Sequence, residues 1–231
     1  MKKIVSLLLA AAMMLSLAAC GGDNTTTSTP APEPVSDEPK YGGTATIYYP
    51  KFYNYFDPSM MDEYQFSFWY ETLWIIDWGL NDPATYNFGP GEVPMEYMAG
   101  QLATDTGVFD EEAGTLTVTL RDDVYFQDGA PYNGRQFVAE DVVWSYSRLL
   151  GLNGYTKVET EYDWANALNM LAGVEATDEH TVVFTFNEGM SNTISLTKLL
   201  NAKVNIVGPE WDELSETEKA DWHNAKGTGP Y

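Results

Sequence analysis

The chain has 231 residues, enough for one large domain or two small ones, and its 44% hydrophobic and 14% aromatic content excludes a disordered protein. Twelve Lys and Arg stand against 34 Asp and Glu, a formal charge of −22. Phosphate backbones and anionic headgroups repel such a polyanion, which excludes nucleic acid as a partner; the single cysteine excludes an intrachain disulfide and a cysteine-built metal cage.

Lys2 and Lys3, followed by the apolar run 4–17, read as the n-region and h-region of a secretory signal. The run is shorter than the ~20 residues a spanning helix needs. Leu17-Ala18-Ala19-Cys20 closes it and resembles the bacterial lipobox, in which the cysteine is acylated and the signal is cut just before it. Residues 21–40, GGDNTTTSTPAPEPVSDEPK, are too polar and proline-rich to bury a core and read as a solvated tether. The sequon Asn24-Thr25-Thr26 within it is taken as a chance match. The expected organisation is a signal peptide at 1–19, a lipidated Cys20 with its tether at 20–40, and a folded part at 41–231. Only the lipid would touch the membrane, on the outer face of the cytoplasmic membrane, or in the periplasm if the source has two membranes.

Within the folded part, 44–49 (TATIYY) is β-rich and ends at Pro50, a first strand. Residues 60–74 are expected to be helical, and 79–95, dense in Gly, Pro and Asn, a loop. Strict alternation over 115–120 (TLTVTL) predicts a half-buried strand, followed by Val124-Tyr125-Phe126 and a turn at Asp128-Gly129. The cleanest helix is 139–150: Val138, Val142, Tyr146 and Leu149 recur at helical spacing, and Glu140 and Asp141 sit in the first turn, where the helix dipole favours anions. Residues 174–177 and 181–186 read as a hairpin around Asp178-Glu179-His180. A helix near 193–200, a short strand at 203–207 and a helix near 215–223 complete the map. Strands and helices mix without a βαβ rhythm, so the fold class is α+β, an irregular α/β arrangement.

Catalytic signatures are absent: no phosphate loop, dinucleotide fingerprint, nucleophile elbow or HExxH occurs. Pro230 behind Gly227-Thr228-Gly229 forbids the helix start a phosphate site requires. His180 and His223 are isolated, and no calcium loop of DxDxDG type is present. The carboxylate groups Asp110-Glu111-Glu112, Asp122-Asp123 and Glu140-Asp141 read as a turn, a strand end and a helix start rather than as carboxylates facing each other across a cleft. No catalytic residue, metal ligand or cofactor is assigned. Aromatics are concentrated instead: fifteen of the 41 residues from 48 to 88 are Phe, Tyr or Trp, out of 32 in the chain. Among them, Phe52-Tyr53-Asn54-Tyr55-Phe56 follows a strand end in a loop, where ligand contacts concentrate, making Tyr53, Tyr55 and Phe56 candidates.

The run 116–132 (LTVTLRDDVYFQDGAPY) followed by 139–148 (AEDVVWSYSR) closely resembles the signature of the bacterial extracellular solute-binding proteins of family 5, the peptide/nickel-type receptors of ABC importers. Other segments agree in order: Gly42-Gly43-Thr44, Phe56-Asp57-Pro58, Tyr70-Glu71-Thr72-Leu73, Gly100-Gln101-Leu102-Ala103, the 174–184 hairpin and Gly227-Thr228-Gly229-Pro230-Tyr231. The chain departs from the pattern where Thr104-Asp105-Thr106-Gly107 replaces a tryptophan-bearing segment, in the long loop 79–95, and in the insertion 133–138.

The resemblance implies a class II periplasmic-binding-protein-like fold, of which residues 41–231 would supply most of lobe one, with the second lobe missing. It implies a non-enzymatic, monomeric receptor that captures an oligopeptide or dipeptide and hands it to an ABC permease and its ATPase. The alternatives are an oligosaccharide, a nickel complex or another small solute on the same fold, or a surface sensor or adhesin. It further implies that Asp62 and Tyr64, after Asp57-Pro58, line the cleft, and that Tyr155 or Tyr162 matches a cleft tyrosine.

Overall fold

The computed structural model describes residues 42–44, 46, 48, 56–59, 67–77, 79, 93–158 and 167–230. The chain divides into two compact units, Met1–Tyr49 and Pro50–Tyr231. In the first, Thr44, Thr46 and Tyr48 of the strand expected at 44–49 carry no regular structure, and 45, 47 and 49 lie outside the described residues. The second unit contains every regular element described.

Its centre is a four-stranded antiparallel sheet in the order β3–β4–β6–β5, with β3 Val108–Asp110, β4 Thr115–Thr119, β5 Leu171–Asp178 and β6 Thr181–Phe186. The alternation in β4 and β6 sets the register. Leu116 lies opposite Phe184 and Val118 opposite Val182, all four fully buried, while the intervening pair, Thr117 and Val183, is on the opposite face. The β5–β6 turn closes where the hairpin was expected, with Asp178 Oδ1 accepting the His180 N–H at 2.8 Å. Strands β1 Trp74–Ile76 and β2 Met98–Gly100 form a separate antiparallel pair.

Helix α1, Ala139–Leu150, crosses the four-stranded sheet, and Tyr146 meets Phe184 edge-on with ring centroids 4.8 Å apart. Its first turn is braced by Asp141, which accepts the Val138 N–H at 3.0 Å. Its end is closed by Gly151 at φ 73°, a left-handed conformation that costs glycine nothing, with its N–H bonded to Ser147 O at 2.8 Å. The spacing of Val138, Val142, Tyr146 and Leu149 suggests one apolar stripe. The helix is instead buried nearly all round, because residues 56–59 and 202–213 cover its other side. Ser145 Oγ donates to Val207 O at 2.8 Å and accepts the Val207 N–H at 3.0 Å.

Helix α2, Thr193–Asn201, is capped by Asn192, whose side chain accepts the Ser195 N–H at 3.0 Å. Helix α3 is a single turn, Glu216–Lys219, with a reciprocal Ser215–Glu218 capping box. The helix expected through 215–223 therefore stops early and resumes as a 3₁₀ turn at Trp222–Asn224. The segment 203–207 is not a strand: its backbone groups bond to Glu71 O and Ser145 Oγ rather than to a neighbouring ladder.

The expected helix at 60–74 is also corrected where it is described. Residues 67–69 form one short turn, and Trp74 opens β1. Aromatic and apolar residues there are mixed with polar ones at neighbouring positions (MMDEYQFSFWYETLW), so no clean helical period separates a buried face from an exposed one. The extended backbone wins because it pairs: the Gln101 and Ala103 N–H groups donate to Leu73 O at 2.9 and 3.1 Å. Of the loop 79–95, Met95 joins a 3₁₀ turn, Met95–Tyr97, and residues 80–92 lie outside the described residues.

Candidate functional site

The segments 67–76, 93–101 and 198–205 meet around an open cavity of about 560 Å³. Pockets of a few hundred to about a thousand Å³ accommodate small-molecule ligands. Strand β1 contributes Trp74 and Ile76, and β2 contributes Met98. The floor is apolar, and its aromatic heteroatoms are already engaged. Trp74 Nε1 donates to Asp105 O at 3.0 Å, and the Tyr70 hydroxyl donates to Phe56 O at 3.2 Å. Burial, with weaker contributions from Tyr132 and Asp57, pushes the Tyr70 hydroxyl pKa well above its ordinary value, so this group is a neutral donor at any physiological pH.

Amide side chains hold the cavity walls together. Gln101 Oε1 accepts the Thr72 N–H at 3.2 Å, and its Nε2 donates to Glu71 at 3.3 Å. Asn201, at the end of α2, pairs with both backbone groups of Val93: Oδ1 accepts the N–H at 2.7 Å and Nδ2 donates to the carbonyl at 2.9 Å. One amide thus does for Val93 what a neighbouring strand would do. Lys198 and Lys203 stand at the rim, and no Asp or Glu lines the cavity among the described residues.

A tight backbone crossing anchors the segment that enters the cavity. The Gly229 N–H donates to Trp69 O at 2.9 Å, the Gln127 N–H donates to Gly227 O at 2.8 Å, and Gln127 Nε2 donates to Gly229 O at 2.8 Å. A Cβ at either glycine would strike the main chain of Phe68 or Trp69, so only glycine permits the approach. The Gly227-Thr228-Gly229 run is therefore a packing device under residues 67–70, which continue into the cavity lining.

Of the sequence candidates, Phe56 is buried with its ring edge-on to Trp69 at 6.3 Å, so its side chain is part of the core. Tyr155 lies exposed in the turn after α1 and is not among the residues lining the cavity. Tyr53, Tyr55, Asp62, Tyr64, Tyr162 and Cys20 lie outside the described residues. Sequence reasoning missed Lys198, Lys203, Asn201 and Trp74 as lining residues. Thr72 and Gln101 sat inside recognised motifs, which marked the segments but not their cavity-facing role. His180 and His223 stay apart: one lies in the β5–β6 turn, and the other bonds Asp221 at 2.7 Å. Among the described residues no group of three His, Cys, Asp or Glu converges to hold a metal ion, and no helix is long and apolar enough to cross a membrane.

The fold recurs in solved proteins. The dipeptide-binding protein of Pseudoalteromonas sp. SM9913, solved with Met-Leu, is 22% identical, with a TM-score of 0.54 over 78% of this chain and 34% of its own. The ABC transporter-associated periplasmic binding protein DppA of Helicobacter pylori, solved with the peptide STSA, is 21% identical, with a TM-score of 0.50 over 77% and 34%. NikZ of Campylobacter jejuni, solved with Ni(L-His), is 16% identical, with a TM-score of 0.52 over 78% and 31%. The chain thus spans about a third of the length of these structures, and at such identities the likeness shows the fold, in part, of a periplasmic binding protein. A search of curated proteins gave no significant match. The family model "Bacterial extracellular solute-binding proteins, family 5 Middle" matches residues 98–231, more than half of the chain. The chain belongs to the family 5 bacterial extracellular solute-binding proteins.

Proposed function

We propose that this protein is the substrate-binding lipoprotein of an ABC importer, capturing a short peptide outside the cytoplasmic membrane and delivering it to a permease. The observation that carries the reading is the family match over residues 98–231. Proteins of this family are solute receptors and not enzymes, and two of the solved relatives hold peptides. The cavity beside β1 and β2 supports the reading further, since its apolar floor and polar rim suit a small amphipathic ligand. Cys20, closing the apolar run after Lys2 and Lys3, is the acylated residue that tethers the receptor, with 1–19 as its signal and 21–40 as its linker. Residues 41–231 belong to the solute-binding domain, and Tyr53, Tyr55, Asp62, Tyr64 and Tyr162 are assigned to its ligand face.

Two measurements test this. Native protein extracted from its source membrane and denatured should release bound peptide detectable by mass spectrometry; release of a sugar or a metal complex alone would replace the peptide reading. Labelled palmitate should enter the wild-type protein and not Cys20→Ala, which should appear in the medium or periplasm. Equal labelling of both would refute the anchor.

A further inference from the structure

Asparagine followed by glycine occurs twice in the chain, at Asn133-Gly134 and Asn153-Gly154. The two pairs share a backbone conformation. Each asparagine is exposed and left-handed at φ 53°, and the glycines follow at φ 71° and 85°. Asparagine is one of the few residues besides glycine that tolerate this region. A glycine after an asparagine also leaves its backbone nitrogen open to the asparagine side chain, because no Cβ shields it. By sequence and backbone the two amides are equally reactive.

Their side-chain partners differ. Asn153 Nδ2 donates to Ser147 Oγ at 2.8 Å and to Val174 O at 2.9 Å, which fixes its amide between α1 and β5. Asn133 Nδ2 donates only within its own turn, to Pro131 O at 3.3 Å, beyond the ordinary range for such a bond. The Gly134 N–H is held as loosely, donating to Gln127 O at 3.3 Å. Bringing the Asn133 amide onto the Gly134 nitrogen therefore gives up two long hydrogen bonds. The same movement at Asn153 gives up two short ones that tie the end of α1 to the sheet.

We infer that Asn133 is a self-modification site of the folded protein, converting to aspartate and isoaspartate while Asn153 stays intact. The Gly134 nitrogen, its proton passing to solvent, attacks Asn133 Cγ. The N–Cγ bond forms, the Cγ–Nδ2 bond breaks and ammonia leaves. Water then opens the cyclic imide at either carbonyl: opening at Cγ gives aspartate, and opening at the main-chain carbonyl gives isoaspartate, with the backbone rerouted through Cβ and Cγ. Water is the only co-reactant, and nothing is oxidised or reduced. The rerouting lengthens the backbone just ahead of Arg135, whose carbonyl accepts the Phe126 N–H at 2.9 Å and whose guanidinium joins Asp141 to Glu210. Isoaspartate at 133 therefore also loosens that junction.

The experiment holds the native protein in warm, mildly alkaline buffer, with a parallel sample in urea, and follows both by brief tryptic digestion and mass spectrometry. Peptides 122–135 and 149–157 each carry one of the two asparagines. Conversion exchanges an amide for a carboxyl group and raises the mass. Asp128-Gly129, in the first peptide, isomerises with no change of mass and is not counted. In the folded protein the first peptide should gain mass at least tenfold faster than the second, and in urea the two should convert at similar rates. Equal conversion in the folded protein, faster conversion at Asn153, or conversion in urea alone would overturn the assignment. The isoaspartate form, separated by ion exchange, should unfold at a lower urea midpoint than Asn133→Asp, which carries the same charge on an unaltered backbone. Equal midpoints would overturn the loosening at Arg135.

Discussion

Asp57 and Arg148 form a buried, bidentate ion pair that joins two segments 91 residues apart in the chain. Arg148 Nη1 donates to Asp57 Oδ1 at 3.0 Å and to Ser59 Oγ at 2.8 Å, Nη2 donates to Asp57 Oδ2, and Nε stands 3.3 Å from Asp212. The Asp57 carboxylate has no solvent exposure. The pair welds the C-terminal end of α1 to the chain just after Phe56. Removing one partner strands the other charge in a site built to be dry.

The first prediction follows directly. Asp57→Ala leaves Arg148 buried without its main counter-ion and should cost about 3 kcal/mol, the scale expected for breaking a buried pair. Asp57→Ala/Arg148→Met should recover part of that loss, because it removes both charges. Urea midpoints of the wild type, the two single variants and the double variant give the coupling. Simple additivity of the two single losses would contradict it.

A second prediction concerns the glycine crossing. Gly229→Ala places a methyl group against the main chain of Phe68 and Trp69 and threatens the Gly229–Trp69 hydrogen bond. Overpacking of this kind costs about 1–3 kcal/mol. The loss should appear as a lowered thermal midpoint, and bound peptide should fall with it, since residues 67–70 lead into the cavity. An unchanged midpoint would mean the crossing is slack.

A third prediction is pH-dependent and centres on Arg135. Its guanidinium donates to Glu210 Oε1 at 2.5 Å and to Asp141 Oδ2 at 2.9 Å, and it lies 4.6 Å from the Phe126 ring centroid. Burial works to raise the Glu210 pKa, but the hydrogen bonds from Arg135 outweigh it and hold the carboxyl below its ordinary value of 4.5. A carboxyl whose folded pKa is depressed stabilises the fold fully above its unfolded pKa and loses that contribution as pH falls through the folded value. Glu210→Gln should therefore lose about 1 kcal/mol at pH 7, after allowing for solvent screening of a partly exposed group. The gap from wild type should hold constant down to about pH 4.5 and close below it. Urea titrations from pH 7 to pH 3 measure this, and a gap that closes above pH 5 would contradict it.

A fourth prediction tests the cavity by filling it. Ile76→Trp enlarges a partly buried side chain that lines the cavity and takes no part in the hydrogen bonds of Gln101 or Asn201. Retained peptide should fall at least tenfold while the thermal midpoint moves little. Undiminished binding in a folded variant would place the ligand elsewhere on the chain.

Where one face of a segment meets the core and the other meets solvent, the sequence states its structure plainly. Leu116 and Val118 alternate with threonines and form β4, the buried Val182, Phe184 and Phe186 alternate with the half-buried Thr181, Val183 and Thr185 in β6, and Ala139–Leu150 is helical over its expected residues. The same logic fails where the apolar residues follow neither a helical nor a strand period, as in 67–74 (SFWYETLW), and where pairing is with side chains, as in 203–207. Phe56 follows a strand-like run in a loop, a setting that suggests a ligand contact, yet its side chain is buried, and Tyr70 and Lys219 each hydrogen-bond its backbone and hold the segment down.

The sequence by itself determined the acidic charge, the α+β class and the family, because these rest on composition, on local periodicity and on an ordered string of motifs. The cavity was decided only by the tertiary structure. Its wall depends on Val93 meeting Asn201 across 108 residues, and the crossing that anchors its entering segment brings Gly229 onto Trp69. Periodicity records that a face is buried; which distant backbone covers it, and where the covering leaves a gap with two lysines at its edge, is settled only when the chain closes on itself.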